Sequence, residues 1–262
     1  MKGGVVIIIN RLFEDQVVIV TGAGSKKGIG RAIALAFAQE GATVVVGDMN
    51  YEGAKEIETI IKDMGQKSLA VKLDVSNQED VNSLVKQTIN QFNRIDVLIN
   101  NAGITQPVKV LDTSLEDWNR IINVNLTGTF LCSKAVLPYM IKNRYGRIVS
   151  MSSVSAKRGG GVFGGAHYSA AKAGILGFSK ALAREVAAYG ITVNSIAPGV
   201  VNTDIRGDKA TPEADQEIIN SIPIQRFGKV EEIAALALFL ASPSSAYITG
   251  EDIDINGGSH MD

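Results

Sequence analysis

The chain has 262 residues, 45% of them hydrophobic and 20% charged, so it can bury a sizeable core and global disorder is excluded. Its 26 lysines and arginines balance 27 aspartates and glutamates, which excludes a general polyanion-binding surface and argues against nucleic acid as a partner. The longest strongly apolar runs, residues 5–9 and 233–241, are far shorter than the ~20 residues that cross a bilayer, so no membrane association is expected.

Continuous apolar runs alternate with helical patterns along the chain. Strands are predicted at 17–21, 43–47, 68–73, 97–99, 147–150, 192–196 and 252–255, and helices at 31–40, 52–64, 79–93, 115–124, 127–142, 169–189 and 230–241. Such strands belong to a parallel sheet covered on both faces. We therefore predict an α/β fold: one doubly wound domain over 1–262, with about seven parallel strands, a 1–11 extension and a substrate lid at 204–226.

A glycine-rich stretch, residues 21–30, lies between the first predicted strand and the first predicted helix. Glycine lets the backbone turn tightly and approach a pyrophosphate, whose charge is favoured by a helix N-terminus. Turns are glycine-rich in any case. The position of the stretch, after a strand and before an amphipathic helix, is what indicates dinucleotide binding.

Asp48 ends the second predicted strand, 18 residues after Gly30, close to the spacing of a ribose-binding acid. A carboxylate there accepts hydrogen bonds from ribose hydroxyls and repels a 2′-phosphate, which favours NAD over NADP. Lys26 and Lys27 in the glycine-rich stretch oppose this preference, because they could attract the phosphate. The direct hydrogen bonds of the carboxylate make NAD the expected cofactor.

Tyr168 and Lys172 are four residues apart, on one face of the helix that begins there. An ordinary tyrosine, with a pKa of about 10, is a poor acid or base at neutral pH. A positive charge at ~4 Å contributes roughly 4 kcal/mol at an effective dielectric constant of 20, or about three pKa units. We therefore expect Lys172 to lower the pKa of Tyr168 and make it competent for proton transfer.

The same spacing occurs at Tyr51 and Lys55, so spacing alone does not identify the reactive tyrosine. Tyr168 follows a predicted strand and the serines Ser152 and Ser153, at the ligand-facing edge of the sheet. Alternation along the strand directs Ser152 to the opposite side from Ser153.

With these residues in place, a resemblance to a known family can be stated. From residue 12 to residue 258 the chain resembles the short-chain dehydrogenase/reductases, in their single-domain form of about 250 residues. The resemblance rests on an ordered set: the glycine turn at 21–30, Asp74, Asn100, Asn101, Ala102, Gly103, Asn125, Ser153, Tyr168, Lys172, Pro198, Gly199, Thr203, Asn256, Gly257 and Gly258. It implies a Rossmann-type fold and NAD(P)-dependent oxidation or reduction.

The resemblance also implies a role for each residue. Ser153 would position the substrate oxygen and Tyr168 would move the proton. Lys172 would also hold the nicotinamide ribose, and Asn125 would hold a water that links Lys172 to solvent. Asp74 would contact the adenine, Asn101 its ribose and Thr203 the carboxamide. The implied cofactor-binding set is Gly22, Gly24, Gly28, Ile29, Gly30, Asp48, Asp74, Val75, Asn101, Ala102, Gly103, Tyr168, Lys172, Pro198, Gly199 and Thr203.

Two segments depart from the family pattern. Five residues separate Gly22 from Gly28, where the family has three. The glycine-rich segment 157–167 is about two residues longer than usual, which we expect to alter the wall of the substrate cavity rather than the catalytic geometry.

Several further expectations concern the surroundings of the site. With only two histidines, His167 is interpreted as a structural or substrate-lining residue, and no metal site is expected. The single cysteine, Cys132, is read as buried, which fits a cytoplasmic protein. The family pairs the helix at 169–189 and the long helix before it between subunits, which implies a homotetramer.

The reaction expected is interconversion of a secondary alcohol and a ketone, as in sugar or polyol dehydrogenases. Reduction of a 3-oxoacyl thioester on acyl carrier protein is the alternative, because the chain also looks like the acyl-carrier-protein reductases of the family. A catalytically silent dinucleotide-binding regulator is a remoter alternative, and the intact Asn125, Ser153, Tyr168 and Lys172 argue against it.

Overall fold

The computed structural model describes residues 11–160, 164–204 and 211–261. Its strands are β1 (Val17–Thr21), β2 (Thr43–Asp48), β3 (Ser68–Lys72), β4 (Val97–Asn100), β5 (Gly146–Met151), β6 (Ile191–Pro198) and β7 (Asp252–Ile255). The expected extension at 1–11 lies outside the described residues, except for Arg11.

Helices follow or separate the strands. They are α1 (Ile29–Gln39), α2 (Tyr51–Asp63), α3 (Gln78–Phe92), α4 (Leu115–Ile122), α5 (Gly128–Asn143), α6 (Val154–Arg158), α7 (Ala166–Val186), α8 (Pro212–Asn220) and α9 (Val230–Ala241). Among the described residues, no helix is long and apolar enough to span a bilayer.

The strands form one parallel sheet in the order β3-β2-β1-β4-β5-β6-β7. The order runs outward in both directions from β1 and β4. Ligands of such sheets bind in the crevice at this switch point, outside the carboxyl ends of the strands. The predicted doubly wound, Rossmann-type fold is confirmed.

Alternate side chains of the strands enter two separate cores. In β1, Val18 and Val20 pack on one face with residues of α1, α2 and α9, while Val17 and Ile19 pack on the other face with residues of α3, α5 and α7. Both faces of the sheet are therefore buried, which explains the unbroken apolar runs in the sequence.

Three local features differ from the predicted elements, and the first is the short helix α6, which was not predicted. Residues 123–127 form a π-helical turn that joins α4 to α5, where the sequence indicated a break between two helices. The polar segment 204–226 contains helix α8, which Thr211 caps by accepting a hydrogen bond from the Ala214 N–H. A polar helix with few buried residues has no clear apolar periodicity, and for this reason sequence patterning missed it.

Candidate active site

A cavity of about 530 Å³ opens at the carboxyl ends of β1 and β4. Its described lining contains most of the residues expected to bind cofactor or substrate: Gly22, Gly28, Ile29, Asp48, Asp74, Val75, Asn101, Ala102, Gly103, Asn125, Ser153, Tyr168, Lys172, Pro198, Gly199 and Thr203. Gly24 and Gly30 do not line it. The fold thus brings the predicted cofactor and catalytic residues into one continuous space.

The two glycines outside the lining are needed where backbone segments approach each other closely. A Cβ at Gly30 would lie 2.5 Å from the carbonyl oxygen of Gly22, and one at Gly24 would lie 2.9 Å from Cγ of Asp48. Gly22 itself has φ +68, a left-handed conformation that glycine adopts freely. Gly24 and Gly30 therefore shape the turn, while Gly22 and Gly28 face the cavity.

Asp48 is tied to the lengthened turn. Its carboxylate accepts hydrogen bonds from the backbone N–H of Gly24 and of Asn50, each 2.7 Å long. The Asn50 side-chain amide donates a hydrogen bond to the Gly24 carbonyl at 3.2 Å. Asp48 ends β2 and lines the cavity as predicted, and it also anchors the turn, a role that the sequence did not reveal.

Asn101 fixes the turn from the other side. Its side-chain amide donates to the carbonyls of Thr21, at 3.0 Å, and Gly22, at 2.7 Å. The Thr21 hydroxyl accepts from the backbone N–H groups of Asn101 and Ala102, both at 3.1 Å. These bonds join the ends of β1 and β4, and Thr21 is a positioning residue that sequence reasoning did not single out.

A third segment reaches the turn through Asp204. Its carboxylate accepts from the Ser25 hydroxyl at 2.7 Å and from the Lys27 backbone N–H at 3.0 Å. These hydrogen bonds, first from Ser25 and then from Lys27, lower the pKa of Asp204. The first residue of the proposed lid thus contacts residues of the lengthened turn.

Asp74 follows β3 and shapes its own loop. One carboxylate oxygen accepts from both the backbone N–H of Ser76, at 2.9 Å, and the Ser76 hydroxyl, at 2.6 Å. Asp74 and Val75 both line the cavity. Their position fits contact with an adenine, as the family resemblance implies.

Ser153, Tyr168 and Lys172 meet at the other end of the cavity. Ser153 caps α6, and its hydroxyl oxygen accepts from the Ser155 backbone N–H at 3.1 Å. Ser153 also interacts with the Tyr168 hydroxyl, and this interaction lowers the pKa of the tyrosine. Lys172 Nζ lies 5.7 Å from the centre of the Tyr168 ring and donates to the Met151 carbonyl at 2.6 Å.

The expected reduction of the Tyr168 pKa by Lys172 is wrong. Burial raises the pKa of Tyr168, and the contact that lowers it is the hydrogen bond with Ser153. Lys172 is only 4% exposed, and burial lowers its own pKa to about 8. Burial disfavours the charged form of Lys172, and its ammonium donates to the Met151 carbonyl. Lys172 therefore affects the pKa of Tyr168 less than Coulomb's law at ~4 Å gives.

Asn125 lies in the π-helical turn and is fully buried. Its side-chain amide donates to the carbonyls of Ile104 and Ile121, both at 2.9 Å, while its Oδ1 has no hydrogen-bond partner. A Cβ at Gly103 would lie 2.6 Å from that Oδ1 and 3.4 Å from Lys172 Nζ, so the three residues are close together. The free acceptor beside Lys172 fits the implied water site.

Two other polar residues have structural roles. The Ser152 hydroxyl donates to the carbonyl of Lys172 at 2.9 Å and so joins α7 to the end of β5, and Ser152 also borders the cavity. His167 is 1% exposed, and its Nε2 lies 3.2 Å from Oε1 of Gln106. It borders a separate cavity of about 270 Å³ near Trp118. His167 is therefore structural, one of the two roles expected.

The cavity also contains residues that the sequence did not indicate, Met49, Asn50, Ile104, Thr105, Ser155, Val200 and Val201 among them. Arg158 and Gly164 belong to the segment 157–167 that was expected to alter the cavity wall, and Asp204 begins the predicted lid. Ser155 and Arg158 lie three residues apart on α6, directly after Ser153. That spacing places both side chains on one face of α6, and this face borders the cavity. Among the described residues, no group of histidines, cysteines and carboxylates could hold a metal ion.

Comparison with known proteins assigns the family. A family model described as enoyl-(acyl carrier protein) reductase matches residues 22–260. An uncharacterized short-chain type dehydrogenase/reductase of Sinorhizobium fredii is 46% identical, covering 94% of this chain and 98% of its own. A 3-oxoacyl-[acyl-carrier-protein] reductase of Synechocystis is 44% identical over 94% of this chain and 97% of its own. The crystal structure of a short-chain type dehydrogenase/reductase from Mycobacterium marinum superposes with a TM-score of 0.91 at 32% identity, covering 97% of this chain and 98% of that one.

The fold and the cavity define an oxidoreductase of the dinucleotide-binding class. The chain belongs to the short-chain dehydrogenase/reductase family. Its members bind NAD or NADP, and the glycine turn and Asp48 fit such a cofactor here.

Proposed function

We propose that this protein interconverts a secondary alcohol and a ketone and prefers NAD to NADP. The observation that carries the proposal is the meeting of Asn125, Ser153, Tyr168 and Lys172 in the cavity that Asp48 also lines. A proton-transfer group and a dinucleotide-binding turn in one space are what this reaction requires. When bound, the nicotinamide accepts or supplies the hydride.

The chain's own residues handle the oxygen and its proton. Ser153 donates a hydrogen bond that positions the substrate oxygen beside Tyr168. In oxidation, Tyr168 removes the proton of the alcohol, and in reduction it returns a proton to the carbonyl. Lys172 holds the nicotinamide ribose, and Asn125 Oδ1 accepts from a water through which protons reach solvent.

The preference for NAD is supported by Asp48. Its carboxylate lies in the cavity wall at the end of β2, where a negative charge opposes the 2′-phosphate of NADP. Both carboxylate oxygens already accept one backbone hydrogen bond, and each keeps a further lone pair for a ribose hydroxyl.

A sugar or polyol is our first candidate for the substrate. Reduction of a 3-oxoacyl thioester is the second candidate, which is favoured by relatives named 3-oxoacyl-[acyl-carrier-protein] reductase at 44% identity in Synechocystis and 42% in Thermotoga maritima. A silent regulator would bind dinucleotide without turnover.

The experiment is a rate comparison across polyols, simple secondary alcohols and a 3-oxoacyl thioester, each with NAD(H) and NADP(H). We expect the highest kcat/KM with an alcohol and NAD. Faster turnover of the thioester would favour the second candidate, and equal or better rates with NADP would contradict the role given to Asp48. Dinucleotide affinity without turnover of any substrate would favour the regulator.

We further propose a homotetramer built through α5 and α7. Phe130 on α5 is 41% exposed and packs edge-to-face on Phe178 of α7, with ring centres 6.1 Å apart. An exposed aromatic pair that bridges two helices is typical of an interface. Light scattering should give the mass of four chains for the wild type and a lower mass for Phe130→Glu; an unchanged mass would refute this interface.

The lid at 204–226 and a cytoplasmic location complete the proposal. The lid is supported by the contact of Asp204 with the glycine turn, because a segment that touches the cofactor-binding turn can respond to the cofactor. Residues 205–210 lie outside the described part of the chain. The cytoplasmic location is supported by the single cysteine, Cys132, because the fold can contain no internal disulfide. That thiol is buried, and burial raises its pKa to about 12.

A further inference from the structure

Helix α6 directs its two adjacent basic residues to different places. Lys157 is only 8% exposed in its side chain and pairs with two carboxylates of β7, Asp254 at 2.9 Å and Asp252 at 3.1 Å. Consecutive residues of an α-helix point about 100° apart. Arg158 consequently turns away from β7 and lines the active-site cavity together with Ser155, three residues earlier on the same face.

The charges that line the cavity are separated along its length. Asp48 and Asp74 follow β2 and β3, the strands on the adenine side of the switch point, and Asp204 is bonded to the glycine turn. Two cations also line the cavity: Lys172 on α7 and Arg158 at the end of α6, the helix that Ser153 caps. No carboxylate of the described lining lies on either helix. The chemical end of the cavity is therefore positive.

Of these two cations, Arg158 is the one available to a substrate. Lys172 is buried and donates to the Met151 carbonyl. Arg158 is exposed, and its Nη1 makes one long contact of 3.4 Å with the carbonyl of Ser259. A guanidinium has five N–H donors in a planar fork that matches a carboxylate or a phosphate, so one long contact leaves most of this capacity unused.

We propose that Arg158 is a specificity residue that selects substrates carrying an anionic group, a carboxylate or a phosphate, in addition to the reacting alcohol or ketone. This inference rests on the proposed function, because it concerns the substrate of the same site. The anionic group binds across the guanidinium fork while the reacting carbon lies against Tyr168 and Ser153.

Matched substrates test the inference. The ratio of kcat/KM for 3-hydroxybutyrate to that for its methyl ester, and for glycerol 3-phosphate to glycerol, is measured with NAD. In Arg158→Gln we expect at least one of these ratios to fall tenfold or more, since a charge-assisted hydrogen bond is lost. Arg158→Lys, which keeps the charge without the fork, should give an intermediate fall. Arg184→Gln, the same change on an exposed arginine of α7, should leave both ratios unchanged.

Binding supplies a readout that does not require turnover. Malonate and inorganic phosphate are titrated calorimetrically into the protein with NADH, and Arg158→Gln is expected to weaken at least one of them tenfold. The anion whose affinity falls in Arg158→Gln shows whether Arg158 binds a carboxylate or a phosphate. Anion affinities and substrate ratios that are equal in wild type and Arg158→Gln would overturn the role of Arg158. Anion binding that depends on Arg158, without turnover of any substrate, would overturn the proposed function and leave the anion site standing.

Discussion

The Lys172 ammonium lies 5.7 Å from the centre of the Tyr168 ring, and the Lys55 ammonium lies 5.6 Å from the ring of Tyr51. The two copies of the tyrosine–lysine motif thus have almost the same local geometry. Their surroundings differ, because the Lys55 side chain is 44% exposed and bonds to Glu58 at 2.7 Å, whereas Lys172 is buried at the cavity. Environment and not spacing makes one copy a candidate catalytic pair.

The first prediction separates the two copies. Tyr168→Phe should lower kcat by a factor of about 10² to 10⁴, because it removes a group that transfers a proton. Dinucleotide affinity, measured by fluorescence titration, should persist. Tyr51→Phe is the matched control and should keep full activity, because Tyr51 does not line the cavity. Substantial turnover by Tyr168→Phe would refute its role.

The second prediction concerns the pH dependence of oxidation. Burial raises the pKa of Tyr168, and the hydrogen bond from Ser153 lowers it. Oxidation needs Tyr168 without its proton, so kcat/KM should rise with pH until the tyrosine has ionised. In Ser153→Ala the rise of kcat/KM should occur at higher pH, because the hydrogen bond that favours ionised Tyr168 is lost. A rise at the same pH in both proteins would mean that Ser153 acts on the substrate alone.

The third prediction uses Lys172 as a probe of stability. Burial lowers its pKa to about 8, so the folded protein releases this proton at lower pH than the unfolded chain does. Above pH 8 the unfolded state binds more protons, and Lys172 should therefore raise the free energy of unfolding by about 2 kcal/mol between pH 7 and pH 9.5.

Lys172→Met keeps the shape of the side chain but cannot titrate. Urea unfolding at the two pH values should show that the stability of the variant, relative to wild type, is greatest at pH 7 and declines toward pH 9.5. A difference that does not depend on pH would indicate that Lys172 keeps its proton in the folded protein throughout this range, as it does in the unfolded chain.

The fourth prediction addresses Asp48. In Asp48→Ala, the ratio of kcat/KM for NAD to that for NADP should fall, because the repulsion of the 2′-phosphate is removed. Affinity for both dinucleotides should also fall, since Gly24 and Asn50 lose their hydrogen-bond acceptor. The protein should still fold, as judged by circular dichroism. Asp63→Ala, the same change at an exposed site at the end of α2, should leave the ratio unaltered.

The fifth prediction concerns the close packing of the glycine turn. Gly30→Ala places a methyl group 2.5 Å from the Gly22 carbonyl, so the turn must move and dinucleotide affinity should fall at least tenfold. Ala36→Gly lies in the same helix and should cost about 1 kcal/mol in helix propensity. This control should lower Tm without changing dinucleotide affinity. Equal affinities in the two variants would show that the turn tolerates the methyl group.

Much of the fold was readable from the sequence for a physical reason. A strand buried on both faces has to be apolar throughout, so runs such as 43–47 stand out, and the polar residue at the end of such a run lies at the ligand edge of the sheet. Asp48 is predicted in this way, whereas the role of Asn101 follows only from the family resemblance. The helix α8 was not predicted, because its few buried residues leave a weak pattern.

Long-range contacts were beyond sequence patterning. Nothing in the order of residues indicates that Asp204 would bond to Ser25, which is 179 positions away. The pKa of Tyr168 was misjudged for a related reason. A Coulomb estimate takes only a distance, whereas the shift depends on how deeply Tyr168 and Lys172 are buried and on the Met151 carbonyl that takes the ammonium's hydrogen bond.

The separation of charge along the cavity has a consequence for ionic strength. Carboxylates lie toward the adenine side, and Arg158 and Lys172 lie around the reacting atoms. Mobile ions screen exposed charges within about 10 Å at 0.1 M salt. Added salt should therefore weaken the attraction of Arg158 for an anionic substrate and also relieve the repulsion between Asp48 and an anionic cofactor. Higher ionic strength should then raise the KM for the anionic substrate and lower the KM for the cofactor. Opposite changes of this kind are expected of a cavity whose two ends carry opposite charge.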